Sequence, residues 1–181
     1  ISPADTINNS ILLKRGGGLV NESFNKAIVF NRGDASKEGG LVFKIAGLNA
    51  TRLTATIGIN QTTTFLDNLN AGIAKFKVYA DNTQIYDSGI SYNRNGQYGN
   101  LDVTIPNGTT LLKLFAYDDA SQQDIICEHA VFANPMIYGT NLVNGQEGNS
   151  LSLSEMPYEY KESIGWYDNI AINEAYPVDG R

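Results

Sequence analysis

The polar residues best suited to chemistry crowd into one segment, AYDDASQQDIICEHA, residues 116–130. Asp118, Asp119, Asp124, Glu128 and His129 all fall there, on what reads as a strand–loop–strand connection. Oxygen ligands from a single loop suit a hard cation such as Ca2+, and Asp118, Asp119 and Asp124 are the candidate ligands. Carboxylates also accept hydrogen bonds from sugar hydroxyls, which makes Asp118, Asp119, Glu128 and His129 candidate carbohydrate contacts. The spacing lacks the alternating Asp and terminal Glu of an EF-hand loop, so calcium is not specified. A solvated acidic turn is an equal reading of the same residues.

Aromatic side chains form the second candidate set. Sugars present apolar C–H faces, and a binding site combines a flat apolar surface with a few polar groups. Tyr98 and Trp166 lie in or beside loops, and SYNRNGQYGN adds Arg94 as a hydroxyl-binding partner. Tyrosines at strand ends also cap sandwich cores with the hydroxyl in water. For Trp166, the only tryptophan, core and ligand platform are balanced readings.

Catalysis requires groups within mutual reach. The chain has one histidine and one cysteine, and no Gly-x-Ser-x-Gly elbow or Cys/His metal cluster. KRGGGLV lacks the lysine–serine end of a phosphate-binding loop and reads as a turn between strands. The expectation is a noncatalytic domain.

The elements that must position these residues are strands. Helical periodicity is nearly absent, whereas GNLDVTIP alternates Leu101, Val103 and Ile105, and GTTLLKLFAYDD alternates strongly. AKFKVYAD and QIYDSGIS read as a hairpin with its two-residue turn at Asn82–Thr83. Short strands separated by Gly, Asn, Asp and Pro turns predict an all-β, two-sheet sandwich of the jelly-roll type. With 181 residues there is enough chain for one sizeable core. The net charge of −6 and scattered lysines and arginines argue against nucleic acid as a partner. No apolar run is long enough for a membrane helix, so membrane insertion is not expected. Five Asn-x-Ser/Thr sequons occur, at Asn8, Asn21, Asn49, Asn60 and Asn107.

Residues 40–138 resemble the NPCBM family, grouped among carbohydrate-binding modules as family 51. The resemblance is carried by IGIN (Ile57 to Asn60), the hairpin from Lys75 to Gly89, the strand from Leu112 to Asp118 and the segment EHAVFANP from Glu128 to Pro135. The usual Asp-Gly turn and the Asp-Trp pair of the closing segment are absent, the latter replaced by Val131–Phe132. The resemblance implies a jelly-roll sandwich appended to secreted or cell-surface enzymes. It implies glycan partners, galactose-containing ones among them, and in some members a calcium ion.

The tail, SLSEMPYEYKESIGW, is similar to the segment with which family members begin. The order of elements is therefore rotated. The expected division is a sandwich body over 1–139, a loop over 140–150 and C-terminal strands over 151–181. Those strands complete the same sandwich or that of a neighbouring subunit. The main reading is a noncatalytic carbohydrate-binding domain that prefers galactose-type glycans. The alternative is a structural or adhesive subunit self-associating through its terminal strands in a surface array or filament.

Overall fold

The computed structural model describes residues 11–15, 20–32, 38–60, 73–90, 92–93, 98–117, 128–142, 150–163 and 169–172. The chain passes through β1 (Ile11–Arg15), β2 (Val20–Phe24), β3 (Ala27–Arg32), β4 (Glu38–Lys44), β5 (Ala50–Ile59), β6 (Ile73–Ala80) and β7 (Thr83–Asp87). It continues through β8 (Tyr92–Asn93), β9 (Gly99–Thr104), β10 (Leu111–Tyr117), β11 (Glu128–Gly139), β12 (Ser150–Ser152), β13 (Tyr160–Ser163) and β14 (Asn169–Ile172). One six-stranded sheet has the order β14-β3-β11-β5-β9, with β12 also on β11. A second has the order β13-β4-β10-β6-β7, with β8 on β6. Together they form the two-sheet jelly-roll sandwich that the alternation predicts. Among the described residues no helix is long and apolar enough to cross a membrane.

Alternation builds the core because successive strand side chains point to opposite faces. On β10, Leu112, Leu114 and Ala116 face inward and are buried. The opposite sheet sends in Ile28 and Phe30 from β3, Leu53 and Ile57 from β5, and Phe132 from β11. Phe132 meets Phe30 edge-on at 5.8 Å between centroids, and Phe76 of the facing sheet at 5.1 Å. Aromatic pairs in this geometry contribute about 0.5–1.5 kcal/mol beyond the area they bury.

β11 keeps both of its halves in register through a bulge. Between Ala133 and Met136 it advances three residues while β5 advances two, from Thr56 to Thr54. Asn134 takes the extra position with φ 45°, and its N–H donates to Lys26 O at 2.7 Å. The neighbouring Pro135, which has no N–H to offer a ladder, is tolerated at such a site. The bulge lets Phe132 and Ile137, five positions apart, both reach the core.

The outer face of the first sheet is covered in part. Ala27, Val29, Val131 and Ala133 form a second buried cluster with Phe24 of β2. β2 pairs with β1 as a separate two-stranded hairpin.

The C-terminal segment contributes three strands. β12 pairs with β11, β13 with β4 and β14 with β3. A 3-10 turn, Leu153–Glu155, follows β12 and places Leu153 fully inside the main core. The buried hydroxyls of Ser152 and Ser154 hydrogen-bond to each other at 2.9 Å. Lys26 Nζ reaches Glu155 Oε1 at 2.9 Å, and Glu159 N donates to Val42 O at 2.7 Å.

The β6–β7 turn falls at Asp81–Asn82, one residue earlier than the sequence reading placed it. Asp81 adopts φ 53°. Its Oδ1 accepts from Thr110 Oγ1 (2.6 Å), Leu111 N (2.9 Å) and Thr110 N (3.1 Å), which ties this turn to the β9–β10 connection. A short Asp tolerates the left-handed turn and brings its own acceptor. The Thr110 hydroxyl, then the Leu111 amide, hold the Asp81 carboxyl below the usual carboxylate range. Of the sequon residues, Asn60 is fully buried, while Asn49 and Asn107 lie exposed in turns.

Two predictions follow from this packing. A Cβ on Gly139 would collide with the Asn49 carbonyl oxygen and lie 2.9 Å from Ala50 Cα, both backbone atoms. Gly139→Ala is expected to cost about 1–3 kcal/mol in urea unfolding. At Gly40 the three atoms nearest the added Cβ all belong to the Phe115 ring, a side chain that can shift where backbone cannot, so Gly40→Ala should cost less. An unshifted midpoint in Gly139→Ala would contradict the close approach.

The depressed Asp81 value adds stability above pH 3.8, its ordinary value, and that stability is lost as pH falls through the lower folded-state value. Asp81→Asn keeps an acceptor and tolerates the turn, but lacks the charge. It should be less stable than wild type at pH 7, by no more than about 1 kcal/mol for so exposed a group. The gap should close in acid. Melting curves from neutral to strongly acid pH that stay parallel would contradict this.

Candidate functional site

The antiparallel registers decide where the candidate residues gather. In the second sheet, Tyr117 at the end of β10 pairs with Glu38 at the start of β4 and with Lys75 near the start of β6. Ser163 ends β13 beside Gly39 of β4, and Asp87 ends β7 opposite Lys77. In the first sheet, Glu128 and His129 open β11 opposite Arg32 and Asn31 of β3. Ile59 ends β5 opposite Ala130, Gly99 opens β9 opposite Ile57, and Asn169 opens β14 opposite Asn31.

Five connections between the sheets therefore leave from one end of the sandwich. They join β3 to β4, β5 to β6, β7 by way of β8 to β9, β10 to β11, and β13 to β14. Every candidate picked out from the sequence lies on one of these connections or at its strand edge. Arg94 is between β8 and β9, Asp118, Asp119 and Asp124 are between β10 and β11, and Trp166 is between β13 and β14. These five residues lie outside the described residues. For Glu128 and His129 the backbone is placed as the first two residues of β11.

Tyr98 is the one candidate whose side chain is described. Its ring packs against the cluster of Phe24, Ala27, Val29, Val131 and Ala133. Its hydroxyl donates to Glu22 Oε2 at 2.7 Å. It is partly buried and joins the β8–β9 connection to β2, so it anchors the rim at least as directly as it could meet a ligand.

The opposite end differs in kind. Its turns are tied to one another by hydrogen bonds: Asp81 to Thr110 and Leu111, Asn141 Nδ2 to Gly47 O at 2.8 Å, and Ile45 N to Thr110 O at 2.8 Å. The described turns of this end are thus tied together, and the other end carries the connections that bear the candidate residues. Among the described residues no group of three or more His, Cys, Asp and Glu could hold a metal ion, and Asp118, Asp119 and Asp124 are not among them.

A third polar cluster lies on the outer face of the first sheet. Arg52 of β5 makes a bidentate pair with Asp102 of β9, at 2.7 and 2.6 Å, and its guanidinium sits 5.3 Å from the Tyr138 ring centroid. The hydrogen bond and charge of Asp102 raise the Arg52 value, and Arg52 lowers that of Asp102. Both side chains are about half exposed, and the pair spans two adjacent strands as a cross-strand staple.

Comparison with known proteins adds the relationships. The tandem CBM51 modules of Sp3GH98, the family 98 glycoside hydrolase from Streptococcus pneumoniae SP3-BS71, superpose with a TM-score of 0.59 at 23% identity. That match covers 74% of this chain and 37% of the other, so the chain spans well under half of that structure. CBM51 from Clostridium perfringens GH95, solved in complex with methyl-galactose, gives 0.54 at 24% identity, over 70% of this chain and 79% of the other. CBM51-2 and INT domains of Clostridium perfringens ZmpB, with CBM51-2 in complex with GlcNAc, give 0.52 at 18% identity, over 73% and 27%. At these identities the likeness is one of fold. A search of curated proteins found no match. The family model described as NPCBM/NEW2 domain matches residues 26–138, the run from just before β3 to the end of β11. That match takes in more than half of the chain, and the protein belongs to the NPCBM/NEW2 domain family.

Proposed function

We propose that the chain is a noncatalytic carbohydrate-binding domain of a secreted or cell-surface protein, with galactose-type glycans as its ligands. The observation that carries this reading is the family match over residues 26–138. Two further facts support it. Structures of the same fold include one in complex with methyl-galactose and another in complex with GlcNAc. The topology also sends the connections bearing Arg94, Asp118, Asp119 and Trp166, together with the strand edge at Glu128 and His129, to one end of the sandwich.

The division of labour follows from chemistry. The carboxylates of Asp118, Asp119 and Glu128 accept hydrogen bonds from sugar hydroxyls, and Arg94 and His129 donate. The Trp166 ring stacks on the apolar face of the sugar. Asp118, Asp119 and Asp124 form an oxygen donor set of the kind Ca2+ takes. The reading takes residues 151–181 as part of the same sandwich as 1–139, and the pairing of β12, β13 and β14 within the chain supports it.

The test is calorimetric titration of the intact chain with methyl-galactoside and with GlcNAc, with and without EDTA. Methyl-galactoside should bind, no reducing sugar should be released from glycans, and EDTA should weaken binding. Trp166→Ala should weaken it by about 1–3 kcal/mol, the scale of aromatic stacking on flat ligands. Truncation after Asn149 removes Leu153 from the core and the outer strands from both sheets, and should lower the melting temperature. Failure of every neutral glycan to bind the folded protein would overturn the function. Unchanged affinity in folded Trp166→Ala would remove that ring from the site.

A further inference from the structure

We propose that the outer face of β5 and β9 is a second carbohydrate site, separate from the rim, for an uncharged oligosaccharide. The inference rests on the carbohydrate-binding reading for the class of ligand, and on the groups of the face itself for the ligand's neutrality.

β5 and β9 lie side by side at one edge of the first sheet. Leu53, Ala55 and Ile57 on β5 and Leu101 on β9 enter the core, so Arg52, Thr54 and Thr56 on β5 and Asn100, Asp102 and Thr104 on β9 face outward. The register sets them in rows. Arg52 pairs with Thr104, Thr54 with Asp102, and Thr56 with Asn100. On the other side of β5, Tyr138 of β11 stands beside Arg52 and Met136 beside Thr54. Three outward positions on one strand span ~14 Å, which is longer than a single sugar ring.

The polar groups of this face have capacity to spare. Arg52, Asn100, Asp102 and Thr104 are exposed. Among the described residues, no hydrogen bond or ion pair engages the side chains of Thr56, Asn100 and Thr104. Arg52 and Asp102 are paired, but only in part. Arg52 gives Nε and Nη2 to the two carboxylate oxygens, at 2.7 and 2.6 Å. That uses two of the roughly five N–H donors of a guanidinium, and each carboxylate oxygen keeps a lone pair for a further donor. The pair also holds both side chains in place, so less rotamer freedom remains to be lost when a ligand arrives.

The pair rests on a ring. The Arg52 guanidinium sits 5.3 Å from the Tyr138 centroid, and the Thr54 hydroxyl donates to the Tyr138 hydroxyl at 3.5 Å. A guanidinium is flat and weakly hydrated, so one held over an aromatic ring can support the C–H face of a sugar. Toward the rim the face is closed. Ala133, which stands beside Thr56, is buried in the cluster with Phe24, and Gly58, the next outward position of β5, is buried as well. The open floor therefore stops short of the connections that carry the rim candidates.

The groups on the floor select the ligand. Its cation and its anion offset each other within one pair, and its other polar groups are hydroxyls and an amide. An anionic ligand would have to compete with Asp102 for Arg52. A protein partner needs exposed apolar surface at the centre of its contact. The large apolar side chains exposed among the described residues, Ile90, Tyr158 and Tyr160, stand on other elements. Sugar hydroxyls both donate and accept, and Thr, Asn, Arg and carboxylate groups set in rows can answer both.

The experiment titrates the full chain with lacto-N-neotetraose, an uncharged tetrasaccharide, in the presence of saturating methyl-galactoside. Amide shifts should concentrate at residues 52–56 and 100–104 and saturate with a Kd of about 1 mM or tighter. Affinity should stay within about twofold between about 50 and about 300 mM salt, because no net charge is neutralised. Thr104→Val keeps the shape of an exposed side chain and removes its hydroxyl. Asp102→Asn keeps the shape of the pair and removes its anion. The two together should weaken tetrasaccharide binding about five- to tenfold, and Asn100→Ala should weaken it as well. Neither variant should change methyl-galactoside binding.

Absence of shifts at these residues while methyl-galactoside binds would overturn this inference and leave the function intact. Unchanged tetrasaccharide affinity in the double variant, or shifts confined to other residues, would also overturn it. Displacement of the tetrasaccharide by methyl-galactoside would merge the two sites and overturn their separateness. A steep loss of affinity with salt would overturn the neutrality of the ligand. Shifts at the same residues that grow with protein concentration in the absence of sugar would assign the face to a second copy of the chain and overturn the sugar class. If the tetrasaccharide binds as described and methyl-galactoside does not, the rim ligand is wrong and this surface stands.

Discussion

The sandwich is organised around the contact of Phe132 with Phe76 across the gap between its sheets. Neither sheet could bury its apolar face alone, and each strand supplies only every second residue to the interior. Phe132 sits on β11, which pairs with β3, β5 and β12 and so joins most of its sheet together. Phe76 sits on β6 beside β10 in the facing sheet. Fixing these two rings fixes which face of each central strand points inward. The Asn134 bulge then keeps the far half of β11 consistent with that choice.

With the faces assigned, the two ends of the molecule diverge. At one end the β4–β5, β6–β7 and β9–β10 turns are short and are cross-linked by Asp81, Thr110, Asn141 and the close approach of Gly139 to Asn49. At the other, five connections leave side by side.

Much of the fold was legible because alternation is a local signal. Leu112, Leu114 and Ala116 announce an inward face without reference to any partner, and β6, β9 and β10 were visible for the same reason. β2 was missed as a separate strand, since VNESF shows little alternation and earns its place by pairing with β1. The Asp81 turn was displaced by one residue, because what anchors it is Thr110, about thirty positions away. The gathering of the candidate residues at one rim was likewise a property of topology that no single segment states. The identities of those residues came from their chemistry, and most of their side chains lie beyond the described residues.

The common exit of the five connections has an evolutionary consequence. An insertion within β11 away from its bulge would exchange inner for outer residues along the rest of the strand, and the core would be lost. An insertion in the β10–β11 or β13–β14 connection changes no strand's parity. Loop closure penalises added length only slowly, by about 0.6 kcal/mol for each doubling. Length and composition at this rim can therefore drift over a framework that does not register the change. The same sandwich can carry very different connections at one end while the aromatic contact at its centre stays as it is.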